Sequence, residues 1–586
     1  RNRIKRECPS WEDITLDEIY DQIALDYDLD KDKLNQIKQY EIELEIKYCI
    51  ARATGKELYD LCLQQGKKVI CTSDMYLSLE TVNAILRKNG YQTIEKVYLS
   101  SELRVGKATG NIFKYICKDL GIKPSQIMHI GDNLHSDVDM PRKSNICSFH
   151  LPKSIDLFKN CNNNIYKGNL YNQIFGYHGQ FVEAQCAYDL FTGFRCMLAM
   201  VVNRFFDCPY IPFNFGSDFN ADPYMIGYFA LGMYLWGMAD WLSEELENKS
   251  YKKIHFLARD GYLLKRVFDV VNRHSRQAIP TEYTYMSRNM VFLCDINSKV
   301  DIYALPSKMN VYSATPHKII SLFAPVIPTD KLHQVDSLLN ASGIIPNKAL
   351  DNYDTSIKFI SLLIDKLVDE QMLLEYRSKL KSYFTSVFKH NECFFDVGYN
   401  GRVEGALKSI CDYPIDSYYI HSYKEILYDR SDLAGFQNKC FDDFQPVITF
   451  LVREQILSDP TASASGISFD SNPPTVLFKK NDLDPITTEV TKLLHKGALD
   501  FANEFEEAYS DIMTKLHFRA HDAALPMLFY LHRASYIDHS IFSCTEFEDD
   551  LGGNEHISLN DFWEKRIITF GLRSYGNTIN NDIFSD

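Results

Sequence analysis

From Lys67 onward the chain repeats one pattern: a short apolar run ending in polar residues, then an amphipathic segment closed by glycine. KKVICTSD leads to a helical stretch over about 79–88 that stops at Gly90. EKVYLSS leads to another over about 110–120 that stops at Gly121, and QIMHIGDN and NICSFHLP complete the series. Strands separated by helices of this length pair in parallel, because each crossover returns the chain to the same end of the sheet. The fold class is therefore α/β. Ser78 stands where the first of these helices needs an N-cap. Ligands of parallel sheets sit at the carboxyl ends of the strands. Ser73 and Asp74 close the first run, Ser100 and Ser101 the second with Lys107 just after, and Gly131, Asp132, Asn133 and Asp137 follow the third. A hydroxyl, a lysine and two acids suit a phosphate bound with Mg2+: the cation takes hard carboxylate oxygens, and the lysine neutralises phosphate charge. Taken alone, Asp132 and Asp137 also read as helix caps after a strand.

In this order SDMYL, GKATG and HIGDNLHSD resemble motifs two, three and four of the haloacid dehalogenase-like hydrolases, over residues 1–155. The local wording is similar to members from bacterial surface-polysaccharide gene clusters. The resemblance implies a Rossmannoid core with a helical cap, Mg2+ as cofactor and a phosphorylated sugar or related metabolite as substrate. By match, Ser73 would hold the phosphoryl group and Lys107 would neutralise it. Asp132 would ligate Mg2+ beside Asn133, and Asp137 would support that ligand or the lysine.

The family's first motif, an apolar strand ending in DxDxT or DxFDT, has no counterpart before Ser73. Its first Asp attacks phosphorus, and without it little phosphatase turnover is expected. The one acidic run upstream, IALDYDLDKD, lacks the Thr, and Ile19 and Ile23 are spaced as on a helix. As a calcium loop it has Lys31 in place of Gly and Ile37 in place of Glu. It reads as a solvated helix end. Residues 11–66, with Ile14, Leu16, Ile19 and Ile23 and then Ile42, Leu44, Ile46 and Ile50, read as the helical cap. Such a cap predicts a missing N-terminal segment ahead of Arg1; the alternative is a domain that never had the strand.

A second α/β signal starts near 224. FLARDGYLL reads as strand and loop, with Ala258 where a first-motif nucleophile would stand and Asp260 in the acid place. YMSRN offers Ser287 at a strand end and FFDVGYNG offers Asp396. Three readings stay open. The region is a degenerate duplicate of the first domain, or its glycines serve tight strand–helix turns and its acids cap helices. Or it is a Rossmann-like phosphate pocket in which Gly398 and Gly401 let the backbone approach a ligand, with Arg259, Arg288 and Arg402 as bidentate donors.

The net charge of −15 argues against a nucleic-acid or anionic-membrane binder. The 15 cysteines show no CxxC and no zinc spacing. With no visible leader, that suggests a reducing, cytoplasmic setting. The longest uncharged run, Pro223 to Ala239, is short and broken by Gly, so it reads as a buried helix rather than a membrane span. The expected layout is a cap segment over 1–66, a core over 67–155, a connector over 156–223 and a second α/β domain over 224–460 with a helical insertion near 305–390. A mainly helical region over 461–586 follows. The expected function is a phosphohydrolase. Its rivals are a binding or scaffold protein with a remnant phosphate pocket, partnering a glycosyltransferase or another polysaccharide-pathway protein, and a transferase seated in 224–460.

Overall fold

The computed structural model describes residues 2–160, 185–214, 216–309, 311–312, 314–399, 401–422, 440–441, 450–480, 484–516, 519–549 and 555–558. It is an α/β protein of two compact units, Arg1–Cys161 with Val201–Phe213, and Asn162–Met200 with Asn214–Asp586. The expected connector is thus shared between them. Residues 201–213 return to the first unit because Asp207 is held there: its carboxylate accepts from Arg52 Nε at 2.8 Å and from Thr54 N at 2.6 Å. Phe206, almost fully buried, packs on Phe158. Much of the Asn-rich part of that stretch, 161–184, lies outside the described residues, as does the C-terminal stretch 559–586.

In the first unit, α1 (Leu16–Tyr27), α2 (Lys31–Tyr48) and α3 (Ala53–Gln64) form the helical segment. A capping box of Thr15 and Glu18 starts α1, which ends on Asp28 in the left-handed region. Asp30 caps α2. The acidic run is therefore a helix-to-helix turn in which carboxylates satisfy free N–H groups. The strands β1 (Cys71–Ser73) and β2 (Val97–Leu99) are parallel, and so are β3 (Met128–Gly131) and β4 (Cys147–His150). The helix α4 (Leu79–Lys88) starts where Ser78 Oγ accepts from Thr81 N, and α5 (Asn111–Leu120) ends on left-handed Gly121.

The expected single sheet is instead two separate pairs. Both lie in one apolar cluster under α5, where Ile70, Tyr98, Ile127 and Ile146 surround Ile112, Phe113 and Ile116. Yet among the described residues neither β1 nor β3 has a second sheet neighbour. Met128 on β3 is 56% exposed, as a side chain that lacks a neighbouring strand would be.

In the second unit, α6 (Gly232–Glu247) continues a buried helical run that begins at Pro223. A parallel sheet in the order β6–β5–β7–β8 follows, from β5 (Lys253–Leu257), β6 (Thr281–Thr284), β7 (Glu392–Tyr399) and β8 (Asp416–Ser422). Its middle strands read as near-continuous apolar runs because helices cover both faces. α7 (Gly261–Asn272) and α8 (Arg402–Ile410) carry the crossovers. Helices such as Pro316–Phe323, Tyr353–Leu362 and Glu370–Val387 fill the insertion.

The helix α9 (Phe450–Leu457) precedes an antiparallel hairpin, β9 (Ala464–Ser468) and β10 (Thr475–Phe478), at the start of the region expected to be mainly helical. The helices α10 (Pro485–Tyr509) and α11 (Ala520–Arg533) belong to this same unit rather than to a separate region. A Cβ at Gly227, Gly232 or Gly237 would fall within 3 Å of Leu494 O, Phe501 Cβ or Ala520 O. The glycines that interrupt the apolar run thus mark where α10 and α11 cross it. No helix among the described residues is long and apolar enough to cross a membrane.

Candidate functional site

In the first unit the carboxyl ends of β1, β2 and β3 are linked by a chain of polar contacts. Asp74, next to Ser73 at the end of β1, accepts the Lys107 amide at 3.0 and 3.1 Å. Glu12 holds the same loop, accepting from Gly106 N, Thr109 Oγ1 and Asn111 Nδ2, each at 2.6 Å. The Lys107 side chain then reaches across to β3, where Nζ lies 2.7 Å from Asp137 Oδ1. His129 Nε2 meets the same oxygen at 2.9 Å, and Asn133 N donates to Oδ2 at 3.0 Å. Both oxygens of Asp137 are thus engaged within the protein.

The Asp137 side chain is only 2% exposed. Burial raises its pKa, but the hydrogen bonds of His129 and Lys107, the lysine's charge and the Asn133 amide outweigh that. The carboxyl is held well below the usual range. Asp74 moves the other way: burial raises it, and the Lys107 amide and charge only partly oppose this. Gly131 makes the packing possible, since a Cβ there would fall 2.5 Å from Asp137 Cγ.

Asp132 is the more open acid. Its side chain is 39% exposed and its Oδ2 lies 3.3 Å from Lys153 Nζ. Asn133 Oδ1 accepts from His135 N and Ser136 N, so this side chain caps the turn after β3. His135 ties that turn to the Lys107 loop through Ala108 O at 3.2 Å. The contacts therefore connect Asp74, Lys107, Asp137 and Asn133, with Ser73 and Asp132 as their chain neighbours.

Sequence reasoning assigned no role to Glu12, Asp13, Asp74, His129 or Lys153. Asp13, 2% exposed, accepts from Ser100 Oγ at 2.6 Å, and Ser100 Oγ in turn accepts from Met75 N. A signal existed only for Asp74, which sits at a strand end beside Ser73.

In the second unit the singled-out residues have different surroundings. Asp260 begins α7 without capping it and instead accepts from the Ser458 hydroxyl. Ser287 caps the turn Arg288–Val291 by accepting from Met290 N at 3.3 Å. Arg259 Nη1 donates to Thr461 O at 3.4 Å. Gly398, at φ 105°, is needed for packing: a Cβ would fall 2.3 Å from His421 O on β8, so its bareness serves the sheet rather than a ligand. Gly401, at φ 59°, starts α8. Asp396 lies near Asp260 and Arg288 in charge terms.

Residues 6–145 match a family model described as haloacid dehalogenase-like hydrolase, which assigns that segment to the hydrolase superfamily its motifs resemble. A search of curated proteins finds no match to the chain.

Proposed function

We propose that the first unit is a Mg2+-dependent phosphohydrolase domain acting on a phosphorylated sugar or related metabolite, in the setting of surface-polysaccharide synthesis. The observation that carries this reading is the Lys107 ammonium, fixed on Asp137 at 2.7 Å where three strand ends meet. A cation held this way is positioned before the ligand arrives, so it neutralises phosphoryl charge with little reorganisation. Ser73 would donate to a phosphoryl oxygen from the end of β1. The surface-polysaccharide setting rests on the wording of the motifs alone.

The fit to Mg2+ is partial. Among the described residues no group of three His, Cys, Asp or Glu stands ready to hold a metal ion. Asp137 serves the lysine, and the Asn133 side chain serves the turn. Asp132 remains as one hard carboxylate, which suffices for an ion that keeps its waters and shares a phosphate. When bound, Mg2+ would neutralise further phosphoryl charge.

The attacking carboxylate is the missing part. The edges of β1 and β3 that are unpaired among the described residues would suit one further parallel strand. Its carboxyl end would meet Lys107. In this reading the strand comes from outside the described residues.

The test is turnover of p-nitrophenyl phosphate and sugar phosphates with Mg2+, by the present chain and by one extended with an apolar strand ending in DxDxT. The extended chain should be active and Lys107→Ala should abolish that activity. Equal turnover by both chains would place the chemistry elsewhere.

A further inference from the structure

The loop that carries Lys107 is held from outside its own strand. It leaves β2 through the turn Ser100–Leu103 and runs from Arg104 to the start of α5 at Asn111. Residues 11–18, which lead into α1, grip both ends of it. At the β2 end, Glu12 N donates to Arg104 O at 3.0 Å. The Arg104 guanidinium lies over the Trp11 ring at 4.2 Å and donates to Asp13 O at 3.1 Å. It also meets both oxygens of Glu18, at 2.7 and 2.8 Å. Arg104 itself stands at φ 59°, a left-handed backbone that an arginine keeps only where its surroundings fix it.

At the other end one carboxylate holds the chain. One oxygen of Glu12 accepts from Gly106 N and Thr109 Oγ1, and the other from Asn111 Nδ2, each at 2.6 Å. These donors lie on both sides of Lys107, and a charged acceptor makes such bonds short and strong. The next amide, Lys107 N, goes to Asp74, so two carboxylates hold successive N–H groups. The helix does not need Glu12, because α1 takes its capping box from Thr15 and Glu18. The backbone under Lys107 is thus set before its side chain reaches Asp137, 2.7 Å away. A shift of about 1 Å in such a loop is enough to spoil the geometry of a reacting charge.

We infer that Glu12 is a positioning residue, which aims Lys107 at a bound phosphoryl group by fixing the loop beneath it. The inference rests on the reading of Lys107 as the cation that neutralises phosphoryl charge. Glu12 acts through that lysine and not on a ligand.

Two measurements on the whole chain test this. The first is acetylation of Lys107 by an N-hydroxysuccinimide ester, followed by peptide mass spectrometry. Lys107, 14% exposed and paired, should react slowly. In Glu12→Gln it should react about fivefold faster, with Lys56 on α3, paired with Asp60, unchanged. The second is calorimetric titration of inorganic phosphate with Mg2+. Glu12→Gln should weaken binding about fivefold, yet add nothing to Lys107→Met, because a residue that acts through another is not additive with it. Thr109→Val removes one of the donors to Glu12 and should move both readouts the same way, less far.

Acetylation of Lys107 unchanged in both Glu12→Gln and Thr109→Val overturns the inference. So does a rise shared with Lys56, or a loss of phosphate affinity that adds in full to that of Lys107→Met. Faster acetylation of Lys107 alone, beside phosphate binding that ignores Lys107→Met, supports the hold of Glu12 on the lysine and overturns the phosphohydrolase reading instead.

Discussion

Removing the charge of Asp137 would leave Lys107 buried beside a group that no longer balances it. Breaking such a pair costs about 3–5 kcal/mol when one partner is lost, so Asp137→Asn should unfold at distinctly lower denaturant than the parent. The sign with pH follows from the lowered carboxyl. Its contribution is complete above the unfolded carboxyl range, about pH 4, and is lost as pH falls toward the folded value. Acid titration of the parent should therefore show a loss of stability below about pH 4 that is smaller in Asp137→Asn; identical acid limbs would contradict the assignment. Gly131→Ala tests the same contact from the strand side. A methyl 2.5 Å from Asp137 Cγ cannot be accommodated without moving the carboxylate. We expect a cost of at least about 1–3 kcal/mol, together with loss of activity in a chain that carries an attacking carboxylate.

At the scale of elements, the two strand pairs of the first unit decide what can be tested. An edge strand leaves alternate N–H and C=O groups to solvent. Amides on the open sides of β1 and β3 should exchange with deuterium quickly in the present chain. They should become protected when a strand is supplied, either as an N-terminal extension or as an added peptide. Slow exchange at both edges of the present chain would mean that another segment already pairs there. The pairing also explains a limit of sequence reading. Each strand was legible from its apolar run and polar end, because those properties are local. That the strands form two pairs rather than one sheet depends on a neighbour's presence, which no residue within the runs encodes.

Over the whole molecule, the two units should answer pH in opposite senses. The first loses stability on acidification through Asp137. In the second, Asp396 is raised to about 7. Between its unfolded value near 4 and about 7, the unfolded chain ionises while the folded one resists, so stability falls as pH rises through that window. Hydrogen exchange resolved to peptides covering 128–150 and 392–399 should show β7 better protected at pH 5 than at pH 8, with the difference reduced in Asp396→Asn. No pH effect at β7 would mean that Asp396 ionises freely in the fold.

The sequence by itself determined the α/β class, the bounds of the helices over 79–88 and 111–120 to within a residue, the Ser78 cap and the motif residues at the strand ends. These follow from periodicity and from chemistry confined to a few neighbouring positions. It also marked Lys107 and Asp137 and offered the lysine as one of two partners for that acid, but it did not show that Asn133 spends its side chain on a turn. Only the tertiary structure decided that the stretch after 156 is divided between two units, through Asp207 on Arg52 and Thr54. It also decided that the glycines of 223–239 admit α10 and α11, and that the chain just after α9 meets Asp260 through the Ser458 hydroxyl. Each of these joins residues far apart in the chain, and close approach, burial and charge coupling are properties of the fold around a residue rather than of the residues beside it.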